Sequence, residues 1–359
     1  MDKKKNTETA DLRSMTGSEL SDFFADLGEP AFRAKQVFSW IHEKGAFSWE
    51  EMTNLSKNLR EKLKREAPLN DVRVERMQES RIDGTRKYLF ALSDGNLIES
   101  VLMRYRFGNS VCVSSQAGCR MGCRFCASTV NGVARDLTAG EMLAQVYAIE
   151  RELGKGERVS HVVVMGSGEP MENYDAVIRF FRLLADEKGK HLSFRNMTVS
   201  TCGIVPGIRR LAGEGIPVNL ALSLHAPNDE IRKTLMPIAR KYGMDEVLAA
   251  CGDYFAATGR RLTWEYALVR GINDSPEHAR ELAERIRAYN GVVNLIPVNP
   301  VTESGLKEPS GESVRRFQEA LKENGAEATI RRTLGRDIDG ACGQLRKRVM
   351  QGEKPIGDL

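Results

Sequence analysis

No stretch of the 359-residue chain approaches about eighteen consecutive apolar residues, so nothing in it reads as a membrane-spanning helix. The lysines of "MDKKKNTETADLRS" have no apolar run behind them. That argues against a secretory leader and makes a solvated tail the expectation. A dominant charge is missing too: 53 Lys and Arg face 49 Asp and Glu, for a net charge of +4. So slight a basic excess permits an RNA partner without demanding one. Low-complexity segments and short repeats are absent. Cysteine is sparse and odd in number, seven in all, in a chain with no secretion signal. A disulfide framework is therefore disfavoured, and a reducing cytoplasm is the expected setting.

What is present falls into two patterns. In "EPAFRAKQVFSWIHEK" the residues Ala34, Val37, Phe38 and Ile41 share one helical face. In "SKNLREKLKREAP" Leu59 and Leu63 stack one turn apart before Pro68. Asp83-Gly84 and Asp94-Gly95 then separate "VRVERMQES", "TRKYLFALS" and "NLIESVLMRY", a hairpin signal given twice in succession. From Val111 onward, apolar runs ("SVCVS", "HVVVMG", "MTVST", "PVNLALSLH", "RLTWEYAL", "VVNLIPV") alternate with amphipathic helical segments. Six βα units in series predict a parallel sheet with right-handed crossovers, too few to close an eight-fold barrel. The expected fold is α/β, an open partial (βα)6 barrel over 111–345. A helical accessory module over 1–70 and a β-meander over 71–110 precede it, and a tail over 346–359 follows.

Cys119, Cys123 and Cys126 lie within eight positions of one another in "SSQAGCRMGCRFCAST", spaced C-x3-C-x2-C. Structural zinc usually takes four ligands in two pairs, and no fourth Cys or His lies close by. Three thiolates on one loop can instead hold three irons of a [4Fe-4S] cluster and leave the fourth iron open to chelate a ligand. The loop follows the first barrel strand, at the face where active sites of such folds gather.

This spacing after the first strand, with Phe125 before the last cysteine, resembles the radical S-adenosylmethionine (SAM) superfamily. "FRAKQVFSWIHEKGAFSWEEMTNLSKNLREKL", "CVSSQAGCRMGCRFCAST", "MGSGEPMENYD", "TVSTCGIVPGI", "ALSLHAPND", "LIPVNP" and "DIDGACGQL" narrow the match. Together they resemble the dual-specificity adenine carbon-2 methyltransferases of 23S ribosomal RNA and transfer RNA, from about Phe32 to Leu345. The resemblance implies a [4Fe-4S] cluster on Cys119, Cys123 and Cys126, with SAM as second cofactor. It further implies an electron donor such as a flavodoxin and a monomeric, cytoplasmic enzyme that consumes two SAM per methylation.

The remaining motifs take their roles beside that resemblance. "MGSGEP" ends the second barrel strand, where glycine admits close approach to a ligand and Glu169 can accept from an ammonium. The resemblance makes Gly168 and Glu169 the site for SAM's amino group; Ser167 departs from the Met of many relatives. Ser200, Ser223, Leu224, His225 and Asn299 fall at strand ends on the same face, and family pattern implies ribose and carboxylate contacts there. Alone, each reads equally as a turn residue or, for His225, a core histidine. Free cysteines are ordinarily small buried hydrophobes, the reading kept for Cys202 and Cys251. Cys342, flanked by glycines, is by resemblance methylated on sulfur. Cys112 would resolve the product through a transient disulfide with Cys342, and Glu99 would accept the ring proton after a 5′-deoxyadenosyl radical activates the methyl group. Arg33, Lys35, Arg60, Lys62, Lys64, Arg65, Arg331 and Arg332 are candidates for phosphate contacts.

Two other readings stay open at this point. A sister enzyme methylates carbon 8 of the same nucleotide with the same cysteines. A non-enzymatic RNA-binding or scaffold protein with a structural metal loop would leave Cys342 and Glu99 without a role.

Overall fold

The computed structural model describes residues 10–69, 72–298, 305–332, 334–339 and 343–352. Cys342 and Asn299 lie outside these residues. Thr16 and Glu19 cap each other's backbone at the start of α1 (Gly17–Asp26), a reciprocal arrangement worth about 1 kcal/mol. α2 (Ala31–Phe38) runs on into a π-helical turn, Ser39–Glu43, and α3 (Lys57–Glu66) follows. The expected faces are buried: Ala34, Val37, Phe38, Ile41, Leu59 and Leu63 all enter one hydrophobic core, shared with the barrel helices.

His42, in the π turn, is buried with Nδ1 3.1 Å from the Tyr147 hydroxyl. Burial, with Arg13 and Lys190 nearby, holds its pKa at about 3 against an ordinary 6.5. The unfolded chain takes up this proton below about pH 6.5 and the folded chain does not. The contribution is therefore fully present above that pH and is lost as pH falls toward 3. Between pH 7 and about pH 5 the loss amounts to about 2 kcal/mol. His42→Gln should flatten that stretch of a plot of urea midpoint against pH; an unchanged slope would place the titration elsewhere.

β1 (Arg73–Glu79), β2 (Arg86–Ala91) and β3 (Leu97–Tyr105) form the antiparallel meander. β3 pairs antiparallel with β4 (Gly108–Val113), with Val101 opposite Cys112. β5 (Gln116–Gly118) and β6 (Val133–Asp136) make a separate two-stranded ribbon. The alternating units follow: α4 (Ala139–Arg151), β7 (Val159–Val164), α5 (Tyr174–Ala185), β8 (Met197–Thr201), α6 (Val205–Ala212), β9 (Asn219–Ser223), α7 (Asp229–Leu235), α8 (Met244–Thr258), β10 (Leu262–Leu268), α9 (Pro276–Ile286), β11 (Gly291–Pro297) and α10 (Gly311–Glu323). β4 and β7–β11 pair parallel in sequence order, as a series of right-handed βα units requires.

Three features depart from the sequence expectation. A further parallel strand, β12 (Ala328–Ile330), extends the barrel beside β11; its three residues are too few to show a period. Meander and barrel are not separate sheets but one ten-stranded sheet, ordered β1-β2-β3-β4-β7-β8-β9-β10-β11-β12. A short helix, α11 (Gln344–Met350), spans the point where a tail was expected to begin. Among the described residues no helix is long and apolar enough to cross a membrane.

Candidate active site

The β5–β6 ribbon closes the base of the cysteine loop. At Gly118 (φ +94°) a Cβ would lie 2.1 Å from the Gly132 carbonyl oxygen, so only glycine lets the two ends of the loop meet. Within the loop the Cys126 N–H donates to the Cys123 carbonyl at 3.1 Å, and the Arg124 N–H to the Leu235 carbonyl at 3.0 Å. Backbone bonds thus set the loop's shape. Cys119 and Cys123 are buried and Cys126 is half-buried. Burial pushes the Cys119 thiol up to about 11, and burial with the neighbouring thiols raises Cys123 further.

All three line a cavity of about 320 Å³ at the C-terminal ends of the barrel strands. Gly168, Glu169, Ser200, Ser223 and His225 line the same cavity, as do Arg331 and Arg332. Leu224 does not: its side chain lies fully in the core, because the strand's alternation turns it outward from the lumen. Ser167 takes no part in the lining. Its carbonyl accepts the N–H groups of Ser115 and Gln116 and so holds the "GSGEP" turn against the cysteine strand.

Glu169 is a buried carboxylate whose oxygens accept one N–H from Cys202 at 2.8 Å and one from Met171 at 3.0 Å. Desolvation raises its pKa, and a cation in the cavity would stabilise its charged form. His225 adopts φ +57°, uncommon for a non-glycine residue, and its Nδ1 accepts the Ala267 N–H at 2.9 Å. Burial holds its pKa at about 3. The ring is therefore neutral with its proton on Nε2, the nitrogen left to act as a donor. Phe125 meets it edge to face at 4.6 Å, tying the cysteine loop to β9.

Glu99 is buried rather than facing solvent. Strand alternation puts it on the same face of β3 as Val101 and Met103, and the Val101–Cys112 pairing places it diagonally across from Cys112. Its Oε2 accepts from Lys87 Nζ at 2.8 Å and from the Gly343 N–H at 2.5 Å, while Oε1 accepts the Arg346 N–H at 2.7 Å. Cys112 itself lines the cavity. The structure thus gathers the described candidates around one cavity, except Glu99 and Leu224, which do not line it.

Sequence reasoning missed three residues here. Cys202 follows Ser200 and faces the cavity, where strand-end position was the available signal. Glu265 is a buried carboxyl 2.9 Å from Asn294 Nδ2, and its signal was an acidic residue in the middle of the apolar run "LTWEYAL". Lys87 looked like an ordinary polar residue of a meander strand. Of the basic residues in the N-terminal helices, Arg60 and Lys62 bond carbonyls of their own module and Lys64 pairs with Glu50, while Lys35 and Arg65 are exposed.

Residues 10–69 match the family described as "Ribosomal RNA large subunit methyltransferase N-terminal domain", and residues 113–286 match the Radical SAM superfamily. A probable dual-specificity RNA methyltransferase RlmN of Lachnospira eligens is 55% identical over 341 residues, 95% of this chain and 97% of that protein. The chain belongs to the RlmN family of radical SAM enzymes. A probable RlmN of Symbiobacterium thermophilum is 53% identical, covering 95% of this chain and 92% of that one. The crystal structure of a radical SAM methyltransferase from Sphaerobacter thermophilus is 45% identical, with a TM-score of 0.90 over 93% of this chain and 98% of that one. Membership in the RlmN family brings its cofactors, a [4Fe-4S] cluster and SAM.

The residues present fit both groups. Among the described residues no three His, Cys, Asp or Glu converge on one point as ligands of a single ion. A cluster asks for something else, one thiolate on each of three irons, and the three cysteines share one cavity wall. SAM's ammonium matches Glu169, whose carboxylate keeps acceptor capacity beyond its two backbone bonds. Glu169→Gln keeps the shape and removes the charge. It should raise the KM for SAM by about 10- to 100-fold, the loss of one charged hydrogen bond, and lower Tm modestly, because the new amide nitrogen cannot accept one of the two backbone N–H groups. Glu169→Ala should lower Tm further, because both buried N–H groups then lose their acceptor. Equal Tm for both variants would contradict this.

Proposed function

We propose that this enzyme methylates carbon 2 of one adenosine in 23S ribosomal RNA and one in transfer RNA. The carrying observation is that the cysteine loop, Cys112 and Gln344, in the segment whose amides Glu99 holds, line one cavity. The names of the relatives support the choice of RNA.

When bound, the cluster and SAM supply a methyl group and the one-electron chemistry that an electrophilic ring carbon requires. Cys119, Cys123 and Cys126 hold the cluster. Gly168 and Glu169 take SAM's amino group, and Ser200, Ser223 and the Nε2–H of His225 take its ribose and carboxylate. Asn299, outside the described residues, belongs to the same set by its place after β11. Cys342 carries the methyl group on sulfur, and Glu99 accepts the proton of the ring carbon. Cys112 then attacks the Cys342 sulfur, the bond from that sulfur to the transferred carbon breaks, and the carbon takes up a proton to become the methyl group, leaving a disulfide that an external reductant reopens. The target base must leave its stack to reach this depth, which costs little in a loop. Arg331 and Arg332 at the cavity, with exposed Lys35 and Arg65, are placed to meet RNA phosphates. The enzyme works as a cytoplasmic monomer, with a flavodoxin-type electron donor.

The test is anaerobic reconstitution, then incubation with SAM, reductant and unmodified ribosomal or transfer RNA, with nucleosides analysed by mass spectrometry. The expected product is 2-methyladenosine, absent in Cys342→Ala. An 8-methyladenosine product would move the regiochemistry to carbon 8. Cleaved SAM with no methylated adenosine would overturn the RNA assignment.

A further inference from the structure

Residues 340–342 are bracketed by two attachments to the meander. On one side the Ser80 hydroxyl and the Arg81 N–H donate to Asp337 at 2.6 and 2.8 Å, the Gly335 N–H donates to Asp83 at 3.0 Å, and the Asp339 N–H donates to Gln78 Oε1 at 3.2 Å. On the other, the Gly343 and Arg346 N–H groups both end on Glu99. Glu99 is the acceptor for both, and a carboxylate this buried needs a countercharge. Lys87 supplies it from the neighbouring strand at 2.8 Å, with both side chains almost fully buried. Lys87 stands opposite Val101, and Val101 opposite Cys112, so lysine, carboxylate and thiol occupy one face of three adjacent strands.

We propose that Lys87 is a positioning residue: its buried ion pair with Glu99 holds the start of α11, and with it the chain that carries Cys342, against the cavity. The proposal rests on the roles given above to Cys342 and Glu99. It adds that the meander is a docking frame for the methyl-carrying segment. A carboxylate has about four acceptor positions. Lys87, Gly343 and Arg346 take three of them, so one remains for a proton while α11 stays docked.

The experiment is hydrogen exchange read by mass spectrometry on the full-length protein. In Lys87→Met, amides of Gly343–Met350 should exchange about tenfold faster or more, as expected when a charged anchor is lost. Peptides from α4 and from β7–β8 should exchange at the wild-type rate, whereas a general loss of stability would speed exchange everywhere. Alkylation of Cys342 by iodoacetamide should accelerate in parallel. If the single variant does not fold, Lys87→Gln, which keeps a donor beside Glu99 and removes only the charge, should show the same local increase. Unchanged exchange at Gly343–Met350 in either folded variant overturns the proposal, as does an increase spread over the whole molecule. Glu99→Gln separates the underlying reading. If it methylates RNA at the wild-type rate while Lys87→Met still loosens α11, the proton-acceptor role falls and the positioning role stands.

Discussion

Cys123→Ala is expected to give a folded, colourless protein with no methyl transfer. Cys123 packs among Cys202, Leu235 and Met236, and its raised pKa keeps the thiol protonated when no iron is bound. In that state it is a packing group, and truncating it costs roughly 1 kcal/mol. The loop keeps its shape because the bonds that shape it are backbone bonds, from Cys126 to Cys123 and from Arg124 to Leu235. The cluster is another matter. With one thiolate removed, a second iron loses its protein ligand beside the one already open, and cluster and SAM chemistry are lost together. Iron and sulfide content, absorbance at about 400 nm and SAM cleavage measure this directly. Cys202→Ala is the control, since that thiol lines the cavity but lies outside the three-cysteine spacing. It should keep its colour. A Cys202→Ala protein that cannot assemble a cluster would mean that the ligand set is misassigned.

Gly343→Ala is expected to keep the cluster and lose methyl transfer by about 100-fold or more, the scale of a displacement near 1 Å in a reacting group. Gly343 has φ +77°, where a side chain costs about 1–2 kcal/mol. A Cβ there would sit 2.6 Å from the Ser128 nitrogen and 2.8 Å from the Ala127 carbonyl carbon. Both belong to the backbone turn that directly follows Cys126, so no side-chain rotation relieves the clash. α11 must move away, taking the Gly343 amide from Glu99 and shifting the neighbouring Cys342. SAM cleavage without RNA should persist, because the cysteine loop and the SAM-facing strand ends do not depend on this contact. Gly352→Ala makes the comparison clean: φ is +69°, but nothing lies within 4 Å of the added Cβ. It should cost only local helix-end stability. Wild-type methyl transfer by Gly343→Ala would show that the α11 contact has no part in the reaction.

Elements and faces in this protein are carried by local sequence. Ala34, Val37, Phe38 and Ile41 mark a helix face because burial repeats every 3.6 residues, and the Val-rich runs mark strands covered on both sides. The cysteine spacing was legible for a similar reason: three cysteines on one loop are a local feature, and all three line one cavity. Glu99, Lys87 and Gly343 show what lies beyond that reach. Alternation along β3 says that Glu99 shares a face with Val101, but not whether that face meets water or protein. Covering it required α11, 244 residues further along the chain at Gly343. Leu224 shows the same limit in reverse, since a strand end adjacent to His225 turned its side chain into the core. Local sequence determined which residues could do chemistry and on which elements they sit, because propensity and periodicity act within a few residues. Which of them meet was decided only by the tertiary structure, because strand register and the docking of α11 depend on packing between segments that the chain keeps far apart.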